Sequence, residues 1–237
     1  MKSFEYSGID NLDVMSLAQN YNNFLLGLIS KFASKSGSIV DFGAGSGTYA
    51  KEVAKTTKNL ICIEPDSKLQ STLNQAGLQT FSDISEIKTA EIDFVYSFNV
   101  LEHIENDIES LSEIFRILKP GSRCLIYVPA MQFLYSAMDT KVGHFRRYSL
   151  NEMKKKASQV GFEIDVSRYA DSIGVLATLA YKIIGDKSGG ISPKSLVTYD
   201  RFIFPISKAL DQITYPVCGK NLFVVLRKPE NYAITST

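Results

Sequence analysis

The sequence predicts an α/β fold on a mostly parallel sheet, and two observations carry that expectation. Short apolar runs alternate with segments of helical periodicity from about residue 38 to residue 169, and a glycine-rich turn follows the first run directly. Strands joined through crossover helices lie side by side and run the same way.

From Asn11 to Phe32, Leu12, Met15, Leu17, Tyr21, Phe24, Leu25, Leu28, Ile29 and Phe32 recur at helical spacing, so an amphipathic helix leads the chain. Ser34-Lys35-Ser36-Gly37 ends it. A strand is expected over Ser38 to Phe42, a helix over Tyr49 to Lys55, a strand over Leu60 to Glu64 and a helix over Ser67 to Ala76. The alternation continues with a strand over Ile92 to Phe98, a helix from about Asp107 to Leu118 and a strand over Arg123 to Pro129. Ile108, Leu111, Ile114, Phe115 and Leu118 share one face of that helix, and Lys119-Pro120-Gly121 stops it. Ser149 and Glu152 form a Ser-x-x-Glu capping box for the next helix, which ends near Gly161. Phe162 to Tyr169 reads as a strand. The last strand, Asn221 to Lys228, is too near the chain end to be followed by a helix and is expected to enter the sheet antiparallel. The roughly fifty residues between these two strands far exceed a simple connection, so Asp171 to Cys218 is expected to be a helical insertion.

Composition narrows the function. Hydrophobic residues make up 45% and charged residues 22%, which excludes a disordered tail or a coiled coil. With 26 basic against 25 acidic residues the net charge is +1, so no global field favours nucleic acid or anionic lipid. Cys62, Cys124 and Cys218 are odd in number and widely spaced, and read as reduced residues in or near the core, not a disulfide frame or zinc site; no metal is expected. The opening MKSFEYSGIDNLD lacks a secretory pattern, which points to the cytoplasm, and no apolar run reaches the roughly 20 residues of a membrane span.

The segment Val40-Asp41-Phe42-Gly43-Ala44-Gly45-Ser46-Gly47 sets a carboxylate at a strand end and then three alternating glycines before a helix. Such a turn lets a ligand lie against bare backbone near free N–H groups. A dinucleotide fingerprint needs a third glycine where Thr48 stands, and the Lys-Ser/Thr pair of a triphosphate loop is missing, which disfavours a nicotinamide dehydrogenase. Glu64, ending the second strand 21 positions after Gly43, is placed to accept hydrogen bonds from two ribose hydroxyls. A ribose-containing ligand without an essential pyrophosphate fits best.

With these residues in view, the sequence resembles the class I S-adenosylmethionine-dependent methyltransferases. The resemblance rests on DFGAGSG, on IEPD from Ile63 to Asp66, on DFVYSFNVLEHIEND from Asp93 to Asp107, and on FRILKPGSRCLIYVP from Phe115 to Pro129. The Asn20-Tyr21-Asn22 element, Leu134 to Asp139 and GHFRRYS from Gly143 to Ser149 look like a narrower subgroup similar to polysaccharide- and natural-product-modifying enzymes. The resemblance implies a Rossmann-like, seven-stranded, mostly parallel sheet. It divides the chain into a helical lid (1–35), a cofactor-binding core (36–170), the insertion (171–218) and the last strand with its tail (219–237). It implies S-adenosyl-L-methionine as cofactor and S-adenosyl-L-homocysteine as product. Asp41, Gly43, Ala44, Gly45 and Gly47 would surround the methionine part and sulfonium, and Glu64, next to Pro65, would hold the ribose. Asp83 and Ile84 would meet the adenine, Asn99, Val100 and Leu101 the methionine end. Tyr21 either closes over the cofactor or packs in the core.

The sulfonium is already electrophilic, so positioning dominates; a carboxylate acceptor needs no base, whereas a hydroxyl benefits from one. The expected acceptor is a small molecule or peptide, with O-methylation of a carboxylate leading, a sugar hydroxyl or amine following, and a silent cofactor-binding protein as the non-enzyme alternative. His144 is either a base or acceptor-orienting group or a loop histidine capping the next helix. For His103 a bond to the loop backbone is the leading reading. Arg146 and Arg147 suit bidentate binding of an anionic acceptor, or are a solvated pair or a salt bridge to Asp139. Tyr135 either donates into the same cleft or packs. Tyr181, Tyr199, Phe202, Phe204 and Tyr215 in the insertion read as packing between helices, with an acceptor lid or a peripheral membrane contact as alternatives. No nucleic-acid partner is expected, and the protein is expected to be a monomer or dimer.

Overall fold

In a computed structural model, which describes residues 14–34, 37–184, 190 and 192–232, seven strands form one sheet. They are β1 (Ile39–Phe42), β2 (Leu60–Ile63), β3 (Gln79–Phe81), β4 (Ile92–Phe98), β5 (Leu118–Pro129), β6 (Glu163–Ala170) and β7 (Asn221–Arg227), in spatial order β3-β2-β1-β4-β5-β7-β6. Strands β1 to β5 pair in parallel, and β7 lies antiparallel between β5 and β6. The reason is where the insertion returns: Ala170 at the end of β6 pairs with Asn221 at the start of β7, so the chain leaves and re-enters at the same edge and must run back.

The helices are α1 (Gln19–Phe32), α2 (Ala50–Val53), α3 (Ser67–Gln75), α4 (Asp107–Ile117), α5 (Ala137–Lys141), α6 (Leu150–Val160), α7 (Ser172–Ile184), α8 (Pro193–Thr198) and α9 (Phe204–Thr214), with one π-helical turn over Tyr199–Ile203. Side chains alternate across the strands, so each face of the sheet builds its own core. Val95, Cys124 and Ile126 pack on one face with Leu111, Ile114 and Met153 from α4 and α6; Phe94, Tyr96 and Tyr127 pack on the other with Leu25, Leu73 and Phe204. The two cysteines of the sheet, Cys62 and Cys124, are buried and free.

Several boundaries differ from expectation for local reasons. The helix expected over Tyr49 to Lys55 is the single turn α2. Strand β5 begins at Leu118, where the chain pairs with Ile92 of β4 before a register shift. Ser149 caps α6 through Glu152 N–H at 3.1 Å, while the Glu152 carboxylate meets Lys156 at 3.3 Å. Gly161 ends α6 at φ +107°, where a Cβ would be strained. The expected Asn11–Asp13 start of the leading helix lies outside the described residues, as do the opening residues read for a signal and the tail from 233. No helix among the described residues is long and apolar enough to cross a membrane.

The leading helix has no cap of its own, since Ala18 stands at its N-cap position. Asp200, from the π-helical turn, supplies one instead: its carboxylate accepts from Asn20 N–H and Tyr21 N–H at 2.9 Å each, and Asn20 Nδ2 donates back to the Asp200 carbonyl at 2.9 Å. The edge contacts Tyr21–Phe204 (5.8 Å) and Phe24–Phe204 (5.9 Å) seal the same junction. Of the insertion aromatics, Phe204 is core, Tyr199 donates to Asp171 Oδ1 at 2.5 Å, and Phe202 is exposed. Replacing a carboxylate that caps a helix costs about 1–2 kcal/mol. Asp200→Ala is therefore expected to lower the unfolding free energy by that amount, read as a lower urea midpoint at unchanged slope, with Asp200→Asn intermediate; urea denaturation of the two variants checks this.

Candidate cofactor and acceptor site

At the carboxyl end of β1, Asp41 is 3% exposed and accepts from Tyr96 Oη at 2.8 Å. Burial pushes its carboxyl up to about 7, and the nearby Glu64 charge adds to the shift. The chain then turns through Gly43, Gly45 and Gly47 at φ +86°, +54° and +82°. A Cβ on Gly43 would fall 2.3 Å from Val100 Cγ2, so β1's loop and β4's loop approach each other through that glycine. Gly43 and Ala44 N–H both donate to the Ile63 carbonyl, at 2.9 and 3.1 Å. Glu64, at the end of β2, is held at both oxygens: Gly45 N–H donates to Oε2 at 2.8 Å and Asp66 N–H to Oε1 at 2.9 Å. Burial raises the Glu64 carboxyl above its ordinary value.

Neither Asp41 nor Glu64 forms an ion pair with Lys or Arg among the described residues. They sit where the strand order reverses between β1 and β4, the place at which open α/β sheets take ligands. Two buried carboxylates without a cation suit a positively charged ligand, and S-adenosylmethionine carries a sulfonium, an ammonium and a ribose. The donor set fits that cofactor.

The remaining expected cofactor residues divide. Asn99 adopts φ +54°, its N–H donates to the Tyr127 carbonyl at 2.8 Å, and its Nδ2 donates to Tyr21 Oη at 3.2 Å. The leading helix is thereby joined to the loop after β4. Leu101 is fully buried in the core, so its side chain is packing. Asp83 is turned onto its own loop, where Ser85 donates at 2.7 Å and holds its carboxyl low. Ile84 is buried and Pro65 exposed.

On the acceptor side, both arginines are engaged by the protein. Arg147, 3% exposed, grips Asp139 in a fork, Nε to Oδ1 and Nη2 to Oδ2 at 2.9 Å each. Arg146 donates to the Ile104 and Glu105 carbonyls at 2.8 and 2.7 Å and pairs with Asp107 at 3.0 Å. Of the expected readings, the anion-binding pair is corrected and the salt bridge to Asp139 is the one Arg147 makes, while Arg146 ties down the loop after His103. Tyr135, expected either to donate into the cleft or to pack, donates to the His144 carbonyl at 2.6 Å.

His144 is the residue these contacts position. Its Nδ1 donates to Asp139 Oδ1 at 2.7 Å, leaving Nε2 3.8 Å from Glu102 Oε1. Burial opposes ionisation of Asp139, but hydrogen bonds from His144 and Arg147 outweigh it and hold the carboxyl at about 2. Glu102 is fully buried, and neither carboxylate oxygen has a hydrogen-bond partner among the described residues. Burial pushes its carboxyl up to about 8. The His103 ring lies edge-on to His144 at 4.6 Å and bonds the backbone at Val142 and Gly143; burial, then the His144 neighbour, drives it down to about 3. Sequence reasoning missed Tyr96 and passed over Glu102, although Glu102 stands in the VLEHIEN motif. Asp139 was visible only as a possible arginine partner.

Asp41 has a consequence for stability. The unfolded chain ionises this carboxyl near its ordinary value of 3.8, whereas the fold keeps it protonated to about 7. The folded state binds the extra proton in that window, so the contribution is full below about pH 4 and lost as pH rises through about 7. Asp41→Asn is expected to flatten the fall in urea midpoint of cofactor-free protein between about pH 5 and about pH 8. An unchanged slope would assign the fall to other groups.

The family profile described as a methyltransferase domain matches residues 17–166, well over half of the chain. A probable S-adenosylmethionine-dependent methyltransferase of Mycolicibacterium smegmatis is 24% identical over 160 residues, covering 64% of this chain and 60% of that protein. Mouse ALKBH8, a tRNA (carboxymethyluridine(34)-5-O)-methyltransferase, is 29% identical over 142 residues, covering 55% of this chain and 20% of its own. The chain thus spans less than two thirds of the length of either curated relative. A Haloferax volcanii chain solved in complex with the Trm112 methyltransferase activator shares the fold, with a TM-score of 0.66 at 15% identity, covering 96% of this chain and 100% of that one. The chain belongs to the methyltransferase-domain family.

Proposed function

We propose that the protein transfers the S-adenosylmethionine methyl group to an oxygen of a small-molecule or peptide acceptor, beside the buried pole formed by Glu102, His103 and His144. One observation carries this reading: Asp139, itself gripped by Arg147, fixes the His144 ring so that Nε2 faces Glu102. A histidine held by a carboxylate in this way is oriented to take up a proton. The acceptor oxygen forms the bond to the methyl carbon, the carbon–sulfur electrons return to sulfur, and the hydroxyl proton leaves toward the pole. Because attack is in line, the lid and insertion contribute by holding the acceptor close, and their junction at Asp200 and Tyr21 supports that role.

A carboxylate acceptor is the second reading. The relation to ALKBH8, whose name specifies methylation at a carboxymethyl group, favours it, while the engagement of Arg146 and Arg147 removes the guanidinium pair that suggested it. The near-neutral charge favours neither a tRNA nor another nucleic acid as acceptor.

Transfer of a labelled methyl group into fractionated extract, followed by mild alkali, separates the readings. Label that survives alkali supports a methyl ether, with mass spectrometry excluding an N-methyl product; label released as methanol identifies an ester. For a hydroxyl acceptor, His144→Ala is expected to lower kcat by about 100-fold or more while leaving S-adenosylhomocysteine affinity unchanged. Unchanged kcat would remove His144 and the pole from the reaction.

A further inference from the structure

We infer that Glu102, His103 and His144 form a binding site for one divalent transition-metal ion such as Zn2+, Mn2+ or Co2+. The inference deepens the oxygen-acceptor reading above and rests on it only for the role of the ion, not for its binding. One ligand atom from each of the three residues lies within 4.8 Å of the others, and the Glu102 Oε1 to His144 Nε2 separation is 3.8 Å. Ligand atoms at about 2.0–2.2 Å from a common ion stand roughly 3–4 Å apart, so the cluster closes on an ion with a shift of under about 1 Å.

Three further features match what metal ligands need. Glu102 is fully buried with both oxygens unpartnered among the described residues, a costly arrangement for a polar group unless something binds there. His144 donates its Nδ1–H to Asp139, and Arg147 and Ser136 N–H hold Asp139 in turn. That is the carboxylate–histidine arrangement which fixes the tautomer and presents Nε2 as a lone pair. His103 bonds the Val142 and Gly143 backbone, and a neutral imidazole that donates one N–H keeps a lone pair on its other nitrogen. Once ionised to bind the metal, Glu102 together with Asp139 exceeds the charge of Arg147, so the cation balances the pole.

Two histidines and one carboxylate form a mixed donor set suited to these metals rather than to Mg2+ or Ca2+, and three protein ligands leave coordination positions open. With the ion bound, His144 would be a ligand and not the proton acceptor, and an acceptor hydroxyl occupying an open position would be acidified by the ion and give its proton to solvent. The His144 side chain, 13% exposed, offers the way in.

The chain has only two histidines, both at this site, so imidazole signals report on it without assignment ambiguity. Full-length protein stripped with EDTA is dialysed against Mn2+, and separately Zn2+, and examined by elemental analysis and proton NMR. Expected are one equivalent bound and progressive loss of both imidazole signals, complete as Mn2+ reaches one equivalent. Glu102→Gln and His144→Ala should each weaken binding at least tenfold, with S-adenosylhomocysteine affinity retained as the sign of an intact fold. If a variant misfolds, the wild-type titration decides alone. Sharp imidazole signals at saturating Mn2+, or unaltered affinity in a folded Glu102→Gln protein, would overturn the site. No acceptor enters these measurements, so their failure is distinct from failure of the alkali test.

Discussion

Taking a carboxylate out of water costs several kcal/mol unless something replaces the lost hydration, and this fold is organised around how that cost is met. The carboxyl edge of the sheet gathers buried acids, which are treated in two ways. Asp139 receives a guanidinium and an imidazole, Asp107 receives Tyr148 and Lys156, and Asp200 receives the backbone N–H groups of a helix. Asp41 receives Tyr96 and Glu64 two backbone N–H groups, but among the described residues neither has a cationic partner, and Glu102 has only the 3.8 Å approach of His144. The first set holds loops in place. The second set lies where ligand chemistry is expected, because a buried carboxylate without a cationic partner is stabilised when a cation or proton arrives.

The two sets are linked mechanically. The loop after β4 carries Asn99, Val100 and Glu102 within four residues, so one short segment touches the leading helix, the glycine turn and His144. Phe145 N–H donates to the Glu102 carbonyl at 2.7 Å, and Tyr148 Oη reaches the Leu101 carbonyl at 3.1 Å, which fastens the loop bearing His144 to the same segment. The glycine turn and the Glu102–His144 cluster are thus built on a common stretch of backbone.

The insertion works through the same edge. Leaving β6 and re-entering at β7 from one side places α7 to α9 above the strand ends. Asp211 accepts from Asp171 N–H and Ser172 N–H at 2.7 and 2.9 Å, capping α7 much as Asp200 caps α1. Both caps join elements distant in the chain, which is why neither carries a local signature.

Apolar periodicity, the glycine turn and the acidic strand ends determined by themselves that the chain forms a parallel α/β sheet with Asp41 and Glu64 at its ligand edge. These signals are local: strand alternation, helix spacing and positive-φ turns are written within a few residues of where they act. What Arg146, Arg147, Tyr135, Glu102 and His144 do was decided only by tertiary structure. Adjacent arginines read equally as an anion site, a solvated pair or a salt bridge to Asp139 until folding brings Asp139 and Asp107 within hydrogen-bond reach of them. A glutamate and a histidine 42 positions apart become neighbours only because the loops after β4 and β5 meet at one edge. Desolvation depends on everything packed around a group, so the charge state and partners of a buried side chain belong to the assembled fold and not to any stretch of sequence.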